Sequence, residues 1–161
     1  MTTTDAEREH AAKKARIKAA KDKLYASKTI EKGLLMVHTG TGKGKSTAAW
    51  GLVMRTLGHG LRVGVVQFVK GRRETGERQL LERFPDLVTV KVMGEGFTWE
   101  TQDRGRDIAA AEAAWAEAKA MFADPRLHLV VLDEVNIVLR YGYLDVHDVL
   151  ADLARRPPMQ H

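Results

Sequence analysis

Residues Gly40-Thr41-Gly42-Lys43-Gly44-Lys45-Ser46 follow directly on the apolar run Leu34-Leu35-Met36-Val37. A loop of this composition can turn its successive backbone N–H groups, from Gly42 to Ser46, toward phosphate oxygens, because glycine lets the main chain approach closely. A helix starting at Lys45 would aim the positive end of its dipole at the same anion. Lys45 adds a point charge. The Ser46 hydroxyl is placed to ligate Mg²⁺, and Thr47 supplies a weaker candidate hydroxyl. The loop is also one residue short. The common phosphate-binding pattern has four residues between its outer glycines. Here Thr41, Gly42 and Lys43 make three, and Thr39 stands where the first glycine belongs. The spacing predicts a nucleotide, held in an unusual way.

Three further stretches carry chemistry. Leu129-Val130-Val131-Leu132-Asp133-Glu134 is an apolar strand ending in two acids, which places carboxylates at the carboxyl edge of a sheet, where ligands bind in open α/β folds. One acid can complete a Mg²⁺ shell, directly or through water. Gly94-Glu95-Gly96-Phe97-Thr98-Trp99-Glu100-Thr101 sets two aromatics in a glycine-flanked loop, in a chain with only 6% aromatic residues. Phe97 and Trp99 there suit a large flat ligand. Gln67-Phe68-Val69-Lys70-Gly71, continuing through Arg72 and Arg73, offers cations for carboxylates or phosphates, or a solvated basic turn. The six histidines show no metal-binding spacing and read as structural or exposed. No Asn-Lys-x-Asp signal for guanine occurs, which favours ATP over GTP.

The elements that must position these residues alternate. Residues 5–27 lack Gly and Pro and predict a helix with a thin apolar stripe of Ile17, Ala20 and Leu24. Leu34–His38 predicts a strand, and 45–57 a helix closed by Gly58. Leu61–Phe68, Leu87–Val92 and Leu127–Leu132 predict strands. Thr75–Arg83, Asp103–Phe122 and Asp145–Ala154 predict helices, with Asp103 as an N-cap. Continuous apolar strands separated by helices mean a mainly parallel sheet covered on both faces. The expected fold is therefore α/β, a three-layer, RecA-like P-loop arrangement.

Composition narrows the partners. With 44% hydrophobic and 29% charged residues, 161 residues suffice for one globular domain with a core. No apolar run reaches 18 residues, so no membrane span is expected. The N-terminus has no apolar h-region of a secretory signal. Without cysteine the chain has no disulfide, thiolate site or Cys nucleophile, and a cytoplasmic location is expected. Residues 1–32 carry nine Lys/Arg against five acids, which is nearly all of the net charge of +5. This segment reads as a basic helical leader, either solvated or a lid over phosphates. Residues 33–161 are the expected nucleotide-binding domain, nearly neutral, with no broad field for nucleic acid.

The short loop from Thr39 to Ala49, then Gln67–Gly71, Gly96-Phe97-Thr98-Trp99-Glu100-Thr101, Leu132-Asp133-Glu134 and Asn136–Leu144, occur in this order. Together they resemble the P-loop type of ATP:corrinoid adenosyltransferases of cobalamin biosynthesis and salvage, from about residue 8 onward. The resemblance implies that a Co(I) corrinoid attacks the 5′ carbon of ATP and displaces triphosphate. It implies that the short loop holds the phosphates in reversed order, with the ribose carbon facing the corrin. Gly40, Thr41, Gly42, Lys43, Gly44, Lys45, Ser46 and Thr47 then bind the nucleotide. Lys45 offsets charge on the leaving group. Ser46 and Glu134 hold Mg²⁺ (or Mn²⁺), with Asp133 behind them. Phe97 and Trp99 press on the lower corrin face and keep an axial ligand off cobalt, so that a reduced flavin or flavodoxin-type donor can deliver the electron. The family is homodimeric. Its members continue with a further strand, so the 33–161 domain is expected to lack its C-terminal part. The competing expectation is a P-loop ATPase or kinase transferring the γ-phosphoryl group, with Glu134 positioning water or an acceptor. The short loop and the aromatic pair weigh against it. A nucleotide-gated nucleic-acid module using the basic leader is opposed by the nearly neutral remainder.

Overall fold

The computed structural model describes residues 4–69, 75–93 and 103–161. The chain divides into two compact units, Met1–Glu31 and Lys32–His161. The first is a helix, α1 (Asp5–Ala26), with no buried residue. It begins with a capping box. The Glu7 N–H donates to Thr4 Oγ1 at 3.4 Å, and the Thr4 N–H donates to Glu7 Oε2 at 2.7 Å. Two orphan donors of the first turn are thus satisfied locally.

The second unit is built on runs of valine. Arg62–Gln67 forms β1, Val88–Val92 forms β2 and Leu127–Asp133 forms β3, in the order β2-β1-β3 and all parallel. β1 is the middle strand, and its Val63, Val65 and Val66 are fully buried. Alternation along it sends side chains to two cores. Val63 and Val65 pack with Trp50, Val53 and Leu57 of α2 (Lys45–Gly58) and with Leu81 of α3 (Gly76–Leu81). Val66 packs on the other face with Ala114, Trp115 and Ala118 of α4 (Arg104–Ala123). Val138 of α5 (Val135–Arg140) and Val149 of α6 (Val146–Ala154) join that second core. Helices on both faces explain why the strands are apolar throughout instead of alternating.

The expected helices and three of the four expected strands are present, α5 is a helix that the sequence reading did not name, and one expected strand is not found among the described residues. α2 ends at Gly58, its last helical residue, and Gly60, at φ 70°, makes the left-handed turn after it, with the Leu61 N–H returning to Thr56 O at 3.2 Å. The expected strand Leu34–His38 is not a strand among the described residues. Leu34, Leu35, Met36 and Val37 are exposed, from 41 to 66%. A β ladder needs a partner, and β1 already has β2 and β3 on its two sides. Apolarity marked 34–38 as sheet-forming but could not supply that neighbour.

The anchor of this segment is Gly33, which is buried. Its N–H donates to Pro158 O at 2.6 Å, and Arg156 Nη2 donates to its carbonyl at 3.4 Å. A Cβ on Gly33 would lie 2.1 Å from Gln160 O, so backbone passes against backbone with no room for a side chain. Gly33→Ala is therefore expected to lower unfolding stability by about 1–3 kcal/mol, read from a denaturant midpoint. Gly51→Ala, in the exposed interior of α2 with no atom within 4 Å of the added carbon, should instead raise it by about 0.5–1 kcal/mol.

Candidate nucleotide site

Gly44 begins the site. It adopts φ 100° as the N-cap of α2 and accepts the Ala48 N–H at 2.9 Å. The left-handed conformation suits glycine, and it turns the chain abruptly from loop to helix. Residues 40–45 and Thr47 are exposed, and Ser46 is half-buried. Lys45 folds back on its own loop. Its Nζ donates to Gly40 O at 2.8 Å and to Gly42 O at 2.6 Å. The ammonium thus lies within the ring of loop peptides, with two carbonyl contacts that an incoming phosphate oxygen can replace.

The carboxylate edge of the sheet meets this loop through Asp133. The ladder between β1 and β3 pairs Gln67 with Asp133. Gln67 Nε2 donates to Asp133 Oδ2 at 3.0 Å, and both residues are buried. The other carboxylate oxygen, Oδ1, accepts from Ser46 Oγ at 3.4 Å. One acid is thereby held by the middle strand and turned toward the first helical turn after the loop. Glu134 follows in a left-handed conformation, φ 65°, as the N-cap residue of α5. It is the one non-glycine with positive φ among the described residues. Such a backbone costs of order 1 kcal/mol and concentrates at functional turns.

Of the residues singled out from sequence, Lys45, Ser46, Asp133 and Glu134 line one cavity, while residues 40–44 and Thr47 are not part of its lining. Ser46 meets Asp133 directly. The donors are hard oxygens, which suit Mg²⁺. No three His, Asp or Glu side chains among the described residues form a metal cage. Phe97 and Trp99, and Lys70, Arg72 and Arg73, lie outside the described residues. Gln67 was not read as a site residue. The available signal was a lone amide ending an otherwise apolar strand at the edge that carries the acids. Gln160 was missed as well. It is buried, and its Nε2 donates to the carbonyls of Met121, Asp124 and Leu127 at 3.2–3.4 Å.

Gln67→Leu leaves a buried carboxylate short of a donor and should cost about 1–3 kcal/mol of stability. Gln67→Glu sets two carboxylates against each other. One is forced to stay protonated to higher pH than in the unfolded chain, so the stability deficit should shrink as pH falls through the carboxylate range. A pH-independent deficit in denaturant titrations would refute the pairing.

The family model described as ATP:corrinoid adenosyltransferase BtuR/CobO/CobP matches residues 31–161. A corrinoid adenosyltransferase of Pseudomonas aeruginosa is 57% identical over 152 residues, covering 94% of this chain and 75% of that protein. One of a Sinorhizobium species is 53% identical, covering 94% and 72%. Corrinoid adenosyltransferase CobA of Salmonella typhimurium is 48% identical, covering 90% and 73%. Similarity of this extent takes in the loop, the sheet and its acidic edge alike, and the chain belongs to the ATP:corrinoid adenosyltransferase family.

Proposed function

We propose that Gly40–Ser46 hold the triphosphate of ATP so that the sugar end of the nucleotide faces a corrinoid lying over Phe97 and Trp99. The activity is that of the family: transfer of the 5′-deoxyadenosyl group of ATP to Co(I) of a corrinoid in cobalamin synthesis. The cobalt electron pair forms the Co–C bond, the C5′–O bond breaks, and triphosphate leaves with the bonding pair. Negative charge therefore builds on the phosphate end. Lys45 and the N-terminus of α2 are suited to receive it. Binding exchanges the two carbonyl contacts of Lys45 for phosphate oxygens.

In this reading Ser46 and Glu134 contact Mg²⁺, and Asp133 orients the Ser46 hydroxyl through the 3.4 Å contact. The ion, when bound, neutralises phosphate charge. Because Asp133 is itself fixed by Gln67, the hydroxyl is held in place before nucleotide arrives. Phe97 and Trp99 exclude an axial ligand from cobalt, which lowers the orbital that accepts the electron from a reduced flavin or flavodoxin-type donor. The reading includes a homodimer in the cytoplasm. The observation that carries this reading is the family match across residues 31–161, which includes the shortened loop.

Product analysis separates it from γ-phosphoryl transfer. Triphosphate is expected, and ADP with phosphate would overturn it. Lys45→Ala should lower kcat/KM for ATP by roughly 100-fold or more. Trp99→Ala should slow reaction from the Co(II) corrinoid far more than from chemically pre-reduced Co(I). Equal losses in the two assays would count against ligand exclusion.

A further inference from the structure

The turn that follows α5, residues 141–144, has no role in the site described above, yet it is firmly tied down. α5 ends at Gly142, whose φ is 66°. There the Tyr143 N–H returns to Val138 O at 3.0 Å and the Gly142 N–H to Leu139 O at 3.1 Å. This double return is a glycine-terminated helix stop. It leaves the Tyr141 and Gly142 carbonyls without a helical partner. Arg104 of α4 supplies one. Its Nη1 donates to Tyr141 O at 3.4 Å and its Nη2 to Gly142 O at 3.5 Å. The same guanidinium lies over the Tyr143 ring, 5.6 Å from its centroid. Tyr143 stacks on Tyr141, with centroids 5.6 Å apart and planes 20° apart, and its hydroxyl donates to Asp107 Oδ2 at 3.2 Å. The start of α4 thus grips the end of α5 with two side chains.

Arg104 is badly placed for its own helix. It is the first residue of α4, directly after the N-cap Asp103. A cation there opposes the helix dipole, whereas beside the last carbonyls of another helix it is favourable. The residue serves α5 rather than α4.

α5 needs that service. It has six residues, too few to hold a helix without tertiary contacts. Its N-terminal end is Glu134, at φ 65° and with no side-chain cap bond. A strained turn persists only where the surrounding structure over-determines it. Val138 fixes the middle of α5 in the core, and the contacts of Arg104, Tyr143 and Asp107 fix its far end. The helix is only about 9 Å long, so a swing at Tyr141 is felt as a tilt at Glu134.

We infer that Arg104, Asp107 and Tyr143 are positioning residues that act through α5 to hold Glu134 toward a divalent cation, which takes as given the Mg²⁺ contact proposed for Glu134 above. They act on the ion only through the backbone of α5. Their effect therefore belongs to the Mg²⁺-dependent part of nucleotide binding and spares the part that the phosphate loop supplies.

A fluorescent ATP analogue is titrated onto the parent chain, Glu134→Gln and Arg104→Met, in EDTA and then across a Mg²⁺ series. Arg104→Met should lower the apparent Mg²⁺ affinity roughly tenfold, in the same direction as Glu134→Gln, with analogue binding in EDTA unchanged. A parent-like Mg²⁺ affinity in Arg104→Met, beside a weakened Glu134→Gln, overturns the positioning role. Equal loss of analogue binding with and without Mg²⁺ also overturns it, since the cause is then a general loosening of the fold. Where Arg104→Met does not fold, Tyr143→Phe removes the hydroxyl, keeps the ring, and carries the same direction of shift and the same refutations. If Glu134→Gln itself keeps the parent's Mg²⁺ affinity, the Mg²⁺ contact of Glu134 falls, and the positioning role with it.

Discussion

The parallel ladder between β1 and β3 is the constraint on which the site depends. It brings Gln67 level with Asp133, two residues far apart in sequence, at the edge where both strands end. A slip of one residue would turn Asp133 to the opposite face of the sheet and out of reach of Ser46. The register is secured by apolar side chains that have nothing to do with chemistry. Val63 and Val65 must meet α2, and Val66 must meet α4, for the two cores to close. The position of one carboxylate is therefore set by valine packing several residues away.

The polar end of the cavity and its apolar end obey different rules. At the polar end every described group has a local solution. Lys45 lies on loop carbonyls, and Asp133 is shared by Gln67 and Ser46. These contacts are replaceable, because an anion offers Lys45 what the carbonyls offer and adds charge complementarity. At the apolar end the walls carry no such substitute. Leu34, Leu35 and Val37 are exposed there, and His161 pairs with the backbone of His128 and Val130 on β3. A single cavity thus has a polar end at Lys45, Ser46, Asp133 and Glu134 and an apolar end along Leu34–Val37 and β3.

The C-terminal residues serve this arrangement in an unplanned-looking way. Arg156, Pro158 and Gln160 all touch Gly33 or the turn after α4, and His161 starts along β3. The route into the loop and the last residues of the chain are held by the same few peptide groups. Any change that moves one moves the other.

Much of the site was legible in the sequence because local chemistry specifies it. Glycine spacing, the Gly-Lys-Ser junction and an apolar run ending in Asp133-Glu134 each have one economical structural meaning, and the α/β alternation follows from the strand and helix patterns. The shortened loop also marked the family, since it is a departure that few folds share. What the sequence could not convey was pairing. Whether Leu34–Val37 forms a strand depends on a neighbour at hydrogen-bonding distance, and hydrophobicity records only the wish for burial. Gln67 reads as a strand residue until the register sets it opposite Asp133. Gly33 reads as a linker until Gln160 passes over it. Sequence determined which residues bear charge and which want to be inside. Tertiary structure alone decided who meets whom, because contacts between distant segments are fixed by register and packing, which no single segment encodes.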